Sequence, residues 1–265
     1  MPNDPQPDIA QSLREIGFRS SSDALSALLT HAHKSRLGPT ETIAGLVSLE
    51  RRTRDVNNLA RRTRDAQLGR FTPIDRFDWA HPREIDRVLF ERLLSLDFIS
   101  VAENVLLRGQ SGVGKTMLAQ CLGQAALERG LTVCFSTLAT VLADLLRRDS
   151  LPAFERRLKR YIQPDLLILD ELGYLPCDNH AADILYNLVS RRHEQRSTVI
   201  TTNLAFKQWG TIFPGAACIV ALIDRFAQHC HRVEIDADSW RDKHNLEHGE
   251  HTSPPVPPPR RSKRK

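Results

Sequence analysis

The feature that most limits how this chain can fold is a glycine loop set between two apolar segments. Gly109-Gln110-Ser111-Gly112-Val113-Gly114-Lys115-Thr116 follows the run Asn104-Val105-Leu106-Leu107 and precedes Met117-Leu118-Ala119-Gln120-Cys121-Leu122. The first run reads as a buried strand and the last as a helix. In that order the pattern G-x-x-x-x-G-K-[ST] makes a cradle for a polyphosphate. Its glycines let the backbone turn so tightly that successive N–H groups face phosphate oxygens, and the helix N-terminus adds its dipole. Lys115 places a charge between the β- and γ-phosphates, and the Thr116 hydroxyl is a ligand for Mg²⁺. The competing reading is a glycine turn that holds no nucleotide.

A second run sharpens this. Leu166-Leu167-Ile168-Leu169 ends in Asp170-Glu171. Four apolar residues predict a strand buried on both faces, and its carboxyl end is where open α/β sheets bind ligands. Asp170 there is expected to hold Mg²⁺ through water, and Glu171 to take a proton from the attacking water. Acids end strands by chance often enough. Downstream of a phosphate loop, they point to ATP hydrolysis.

Strand and helix signals alternate through the middle of the chain, which predicts a parallel sheet. Leu131–Phe135 reads as a strand, Thr137–Arg148 as a helix, Ala153–Tyr161 as a basic helix and His180–Glu194 as another helix. Ser197-Thr198-Val199-Ile200-Thr201-Thr202 is a β-branched strand ending in Asn203, a residue able to orient water near a γ-phosphate or simply to form a turn. Arg225 follows the apolar run Ala221-Leu222-Ile223. It can act as an arginine finger, or pair locally with Asp224. Before the loop, Phe71-Thr72-Pro73 and Phe77-Asp78-Trp79 look extended, and Arg83–Leu96 reads as one helix. Phe98 and Ile99 fit core packing first and an adenine pocket second.

Three regions are expected: a helical, Arg-rich part over residues 1–70, the nucleotide core over 71–248, and a Pro-rich basic tail, read as disordered, over 249–265. Residues 51–70 hold seven arginines against two aspartates, with the near repeat Arg51-Arg52-Thr53-Arg54-Asp55 and Arg61-Arg62-Thr63-Arg64-Asp65. Arg51, Arg54, Arg61 and Arg62 on one helix suit DNA phosphates; the alternative is a solvated face with Arg–Asp pairing. The net charge of +5 is compatible with a polyanionic partner.

The rest of the composition excludes classes. No run of about 18 apolar residues exists, so no membrane-spanning helix is expected, and the N-terminus lacks the basic-then-apolar pattern of a signal peptide. A cytoplasmic, DNA-associated protein is expected. The five cysteines form no C-x-x-C pair and read as free, partly buried thiols. His229-Cys230-His231 is a weak metal candidate, because it runs into a strand that sends neighbouring side chains to opposite faces.

From about Phe77 to Arg241 the chain resembles the IstB family, ATP-dependent helpers of insertion-sequence transposition related to the DnaC helicase loaders of the AAA+ class. The resemblance rests on Glu103–Leu107, the phosphate loop, and Pro164-Asp165-Leu166-Leu167-Ile168-Leu169-Asp170-Glu171-Leu172-Gly173-Tyr174-Leu175-Pro176. It continues through Leu188-Val189-Ser190-Arg191-Arg192, Ser197–Asn203 and Leu222-Ile223-Asp224-Arg225. Asp-Glu-Leu-Gly-Tyr-Leu-Pro is its sharpest element. Where the family shows Gly-Glu-Ser-Tyr-Arg, this chain has Asp236-Ala237-Asp238-Ser239-Trp240-Arg241.

The resemblance implies an α/β fold: a parallel-sheet P-loop AAA+ ATPase core with a helical N-terminal appendage. It implies ATP and Mg²⁺ as cofactors, ATP-driven homo-oligomerisation on duplex DNA, and recruitment or stimulation of a transposase. It assigns Asn203 as a sensor and Arg225 as a finger acting on a neighbour's ATP. A DnaC-like helicase loader and a non-hydrolysing, ATP-switched DNA scaffold are the rival readings.

Overall fold

The computed structural model describes residues 9–147, 150–173 and 179–240. The expected disordered tail, Arg241, Cys177 and the 174–176 part of the signature lie outside the described residues. The chain forms two compact units, Met1–Asp65 and Ala66–Lys265.

The first unit holds α1 (Ile9–Glu15), α2 (Ser22–Lys34) and α3 (Pro39–Ala66). The Ser21 hydroxyl accepts the Ala24 N–H and caps α2, and the Glu41 carboxylate accepts the Gly38 N–H as α3 begins. A buried acid on α3 organises the rest. Glu50 accepts the backbone N–H groups of Arg19 and Ser20, the Ser20 hydroxyl at 2.8 Å and Arg54 Nε at 2.7 Å. Burial alone would raise its carboxyl; the Arg54 guanidinium and the Arg19 and Ser20 donors outweigh that and hold it at about 2. Arg54 also donates to the Gly17 carbonyl at 3.1 Å.

The second unit is built on one six-stranded sheet: β1 (Glu84–Ile85), β2 (Asn104–Gly109), β3 (Val133–Thr137), β4 (Leu166–Leu172), β5 (Ser197–Thr202) and β6 (Cys230–Asp236), in the order β1-β6-β2-β5-β4-β3. All neighbouring strands run parallel except β1, which pairs antiparallel with β6. The helices are α4 (Arg87–Leu93), α5 (Asp97–Ser100), α6 (Lys115–Glu128), α7 (Leu138–Leu145), α8 (Leu151–Ile162), α9 (Asn179–Arg192), α10 (Trp209–Ile212) and α11 (Ile219–Ala227).

Strand alternation explains the layering. Leu106, Leu167, Leu169 and Ile200 share one core with Leu142 of α7, Leu185 and Leu188 of α9, and Leu222 and Phe226 of α11. Their strand neighbours Val105, Leu107, Ile168 and Val199 are as buried but lie outside that cluster. Successive strand residues face opposite ways, so both faces of the sheet are covered, as a parallel sheet requires. The carboxyl ends of β2, β4 and β5 then gather at one edge.

One correction to the sequence reading arises here. Residues 83–96 do not form one helix: Glu84 and Ile85 pair with Asp236 and Ile235, and the Asp86 carboxylate caps a helix that starts only at Arg87. Pairing and capping override the apolar periodicity. Arg192 is a further finding, because this second member of a basic pair is 1% exposed. Its guanidinium donates to Thr198 Oγ1 and to the carbonyls of Tyr161, Ile162, Pro164 and Ser197, over 2.5–3.0 Å. It ties the end of α8 to the start of β5. Burial lowers its pKa to about 9, which leaves it charged at neutral pH.

Candidate nucleotide site

The buried β2 run Asn104–Leu107 is the fixed rail from which the glycine loop departs. Gly112 and Gly114 have φ of 80° and 94°, left-handed values that favour glycine. Space forbids a side chain there as well. A Cβ on Gly114 would lie 2.7 Å from Phe77 Cε2, and one on Gly112 would lie 2.4 Å from Ser239 Oγ. Lys115 opens α6, and its ammonium donates to the carbonyls of Gly109 at 2.8 Å and Gln110 at 2.6 Å. The lysine that would meet phosphate is thus held against its own loop.

Asp170 is 3% exposed at the end of β4. Its carboxylate accepts the Thr116 hydroxyl at 3.1 and 3.0 Å and the Thr201 hydroxyl at 2.5 Å. Thr201 in turn accepts the Glu171 backbone N–H at 3.0 Å. The β4–β5 register is regular up to Leu169↔Ile200 and resumes at Leu172↔Thr202, so two residues of β4 oppose one of β5. This is a β-bulge, and Glu171 sits in it with φ 63° and an exposed side chain. The donors that Thr116 and Asp170 bring together are hard oxygens, the type Mg²⁺ takes, so these residues fit that ion.

Ser111 to Thr116, Glu171 and Thr201 line one cavity of about 390 Å³, with the buried Asp170 hydrogen-bonded to Thr116 and Thr201 of that lining. The structure therefore brings together the loop, Lys115, Thr116, Asp170 and Glu171. Gly109 and Gln110 contribute through the carbonyls that hold Lys115.

Asn203 and Arg225 do not line this cavity. Asn203 is exposed just beyond β5 and faces a separate hollow with Gly109, Gln110 and Glu234. Arg225, on α11, donates to Ser190 Oγ at 2.7 Å, and its guanidinium lies 4.8 Å above the Tyr186 ring. Its partners are thus on α9 rather than at Asp224. That contact pulls the Tyr186 phenol below its usual range. Phe98 is packed at 4% exposure and lines no part of the cavity. The aromatic wall is Phe77, His81 and Trp240, which sequence reasoning did not select; the one hint was that Trp240 falls in the family's Ser-Tyr-Arg stretch.

Among the arginines of α3, Arg51 and Arg61 are exposed and Arg62 is half-buried, whereas Arg54 is engaged by Glu50 and Gly17. No cluster of three or more metal-binding side chains occurs among the described residues. His231 Nε2 lies 2.7 Å from Glu103. Burial pushes the Cys121 thiol up to about 11 and Cys230 to about 12, and raises Cys134 and Cys218, which disfavours their thiolate forms. No helix among the described residues is long and apolar enough to cross a membrane.

A phosphate loop on a central strand, with the carboxylate strand one place beyond its neighbour in a parallel sheet, defines a P-loop nucleotide-binding domain of AAA+-like fold. The fold is shared with the crystal structure of DnaI, at a TM-score of 0.53 and 17% identity, covering 65% of this chain and 92% of that one. The family described as "IstB-like ATP binding protein" matches residues 11–248. The chain belongs to that family. Its relatives include an ATP-binding protein of insertion sequence IS21 from Pseudomonas aeruginosa, 32% identical over 85% of each chain. Another is an ATP-binding protein of insertion sequence IS232 from Bacillus thuringiensis subsp. berliner, 31% identical over 89% of this chain and 94% of that one.

Proposed function

We propose that this protein is an ATP-hydrolysing helper of insertion-sequence transposition. In this reading it assembles on duplex DNA as a homo-oligomer, hydrolyses ATP at subunit interfaces, and recruits or stimulates a partner transposase. The observation that carries the ATPase reading is the chain from the Thr116 hydroxyl through the Asp170 carboxylate and the Thr201 hydroxyl to the backbone N–H of Glu171, beside the phosphate loop. The loop N–H groups and Lys115 bind the phosphates. Thr116 and Asp170 would hold Mg²⁺, which would supply charge neutralisation of the triphosphate. Glu171, aimed into the cavity by the bulge, takes the proton of the attacking water. Arg225 acts on a neighbouring subunit's ATP, and Asn203 is the sensor that orients water near the γ-phosphate.

The test separates binding from chemistry. Lys115→Ala is expected to abolish ATP binding. Glu171→Gln is expected to keep binding while turnover falls by about 10² or more, since an amide cannot accept the proton. Normal turnover in the glutamine variant would make the protein something other than a hydrolase using Glu171. ATP binding by wild type without turnover, with or without DNA, would favour the scaffold reading.

DNA contact is supported by the arginines of α3, of which Arg51 and Arg61 are exposed and Arg62 is half-buried. Changing Arg51, Arg61 and Arg62 to alanine is expected to weaken binding to all sequences alike. The slope of log K against log salt should fall by about 0.9 for every phosphate deprived of its arginine. Arg54 is left out because removing it would uncap the buried Glu50 carboxylate. An unchanged slope would leave α3 a solvated or protein-facing helix.

A further inference from the structure

We infer that the segment Asp236–Trp240 supplies the base-recognising wall of the nucleotide site, with Trp240 stacking on the purine of the bound nucleoside triphosphate. This rests on the cavity being a nucleotide site. The cavity is chemically divided. It is lined by the phosphate-loop residues Ser111 to Thr116 and, packed beside them, by the rings of Phe77, His81 and Trp240. An aromatic wall there suits a planar, weakly polar ring rather than more phosphate, because every base has a π-face.

Trp240 is held in place by a strap of contacts. Its backbone N–H donates to the Gly112 carbonyl at 3.2 Å, and its ring meets His81 edge to face, with centroids 4.8 Å apart and planes at 86°. His81 Nε2 lies 2.9 Å from the Asp238 carbonyl. Arg83 grips both Asp238 carboxylate oxygens at 2.6 Å and donates its backbone N–H to the Asp236 carbonyl at 2.7 Å. The strap therefore fixes the ring relative to the loop that binds the phosphates. That fixed distance is what reading a base and a triphosphate together requires.

The other two tryptophans are placed differently. Trp209 is fully buried, and Trp79 packs against Phe77 and Phe90 with Arg87 over its ring. Trp240 keeps 40% exposure and lines the cavity.

The experiment compares ATP, CTP and inorganic tripolyphosphate, each with Mg²⁺, by equilibrium binding to wild type, Trp240→Ala and Trp240→Phe. Trp240→Ala is expected to weaken ATP by about 5- to 150-fold, the range for removing one aromatic–base stack. It should leave tripolyphosphate unchanged and shrink any preference for ATP over CTP. Trp240→Phe should retain most of the ATP affinity. Unchanged ATP binding in Trp240→Ala overturns the inference and leaves the nucleotide site standing. Equal loss of ATP and tripolyphosphate also overturns it, since the strap would then only seat the loop. Wild type binding neither ligand would remove the nucleotide-site reading itself, and the inference with it.

Discussion

Arg225→Ala is expected to lower ATP turnover of the DNA-assembled protein by about 10³–10⁵-fold, the range for a trans-acting arginine in phosphoryl transfer, while the subunit's own ATP affinity barely changes. The geometry motivates the asymmetry. Arg225 lies outside the cavity lined by Lys115 and Glu171, so removing it takes nothing from its own subunit's phosphate contacts. Ser190 and the Tyr186 ring hold its guanidinium on the surface of α9 and α11, half-buried and pre-oriented. A finger must be presented in this way, because a freely rotating arginine would lose side-chain entropy when it engages. The decisive measurement is mixing. Arg225→Ala subunits keep intact loops, and Lys115→Ala subunits keep intact fingers. Neither should turn over alone, and a mixture on DNA should regain part of the activity. Co-assembly without recovery would make Arg225 a structural tie between α9 and α11.

The second large effect is on stability. Arg192→Ala is expected to destabilise the nucleotide domain by about 3 kcal/mol or more, because each buried carbonyl left without its donor costs about 1–3 kcal/mol. Four carbonyls and the Thr198 hydroxyl lose their donor at once, and the end of α8 and the approach to β4 lose their tie to β5. Arg192→Lys should recover little, since one compact ammonium with three protons cannot reproduce a planar fork spanning five acceptors. Urea unfolding read by circular dichroism gives the difference. A loss below about 1 kcal/mol would mean that water or a local shift satisfies those carbonyls.

Much of the site is legible in contiguous motifs. The loop, Thr116, Asp170 and Glu171 are read from short runs whose spacing is dictated by backbone chemistry, and β2, β4 and β5 from unbroken apolar or β-branched stretches. Tertiary pairing hides the rest. β1 is two residues long and exists only because β6 lies beside it, so no local propensity announces it. Arg192 reads as half of a basic pair until α8 and β5 close around it. Phe77 and His81 are neighbours in sequence, but Trp240 lies far from both and meets them only because β6 returns the chain to the loop. Arg54 looks like its neighbours on α3; its partner Glu50 is one turn away on the same helix, but only the fold brings the Gly17 carbonyl and the Arg19 and Ser20 donors to that pair.

The left-handed backbone at Glu171 has a consequence for how this protein could be altered. A glutamate at φ 63° stores about 1–2 kcal/mol that a glycine would not. The proposed general base thus occupies a position that selection for robustness alone would give to another residue. Pressure for a hardier protein and pressure for a working one pull in opposite directions at this residue, a stability–activity trade-off confined to a single peptide unit. Directed evolution under thermal challenge alone should accept glycine in place of this glutamate, at the expense of turnover.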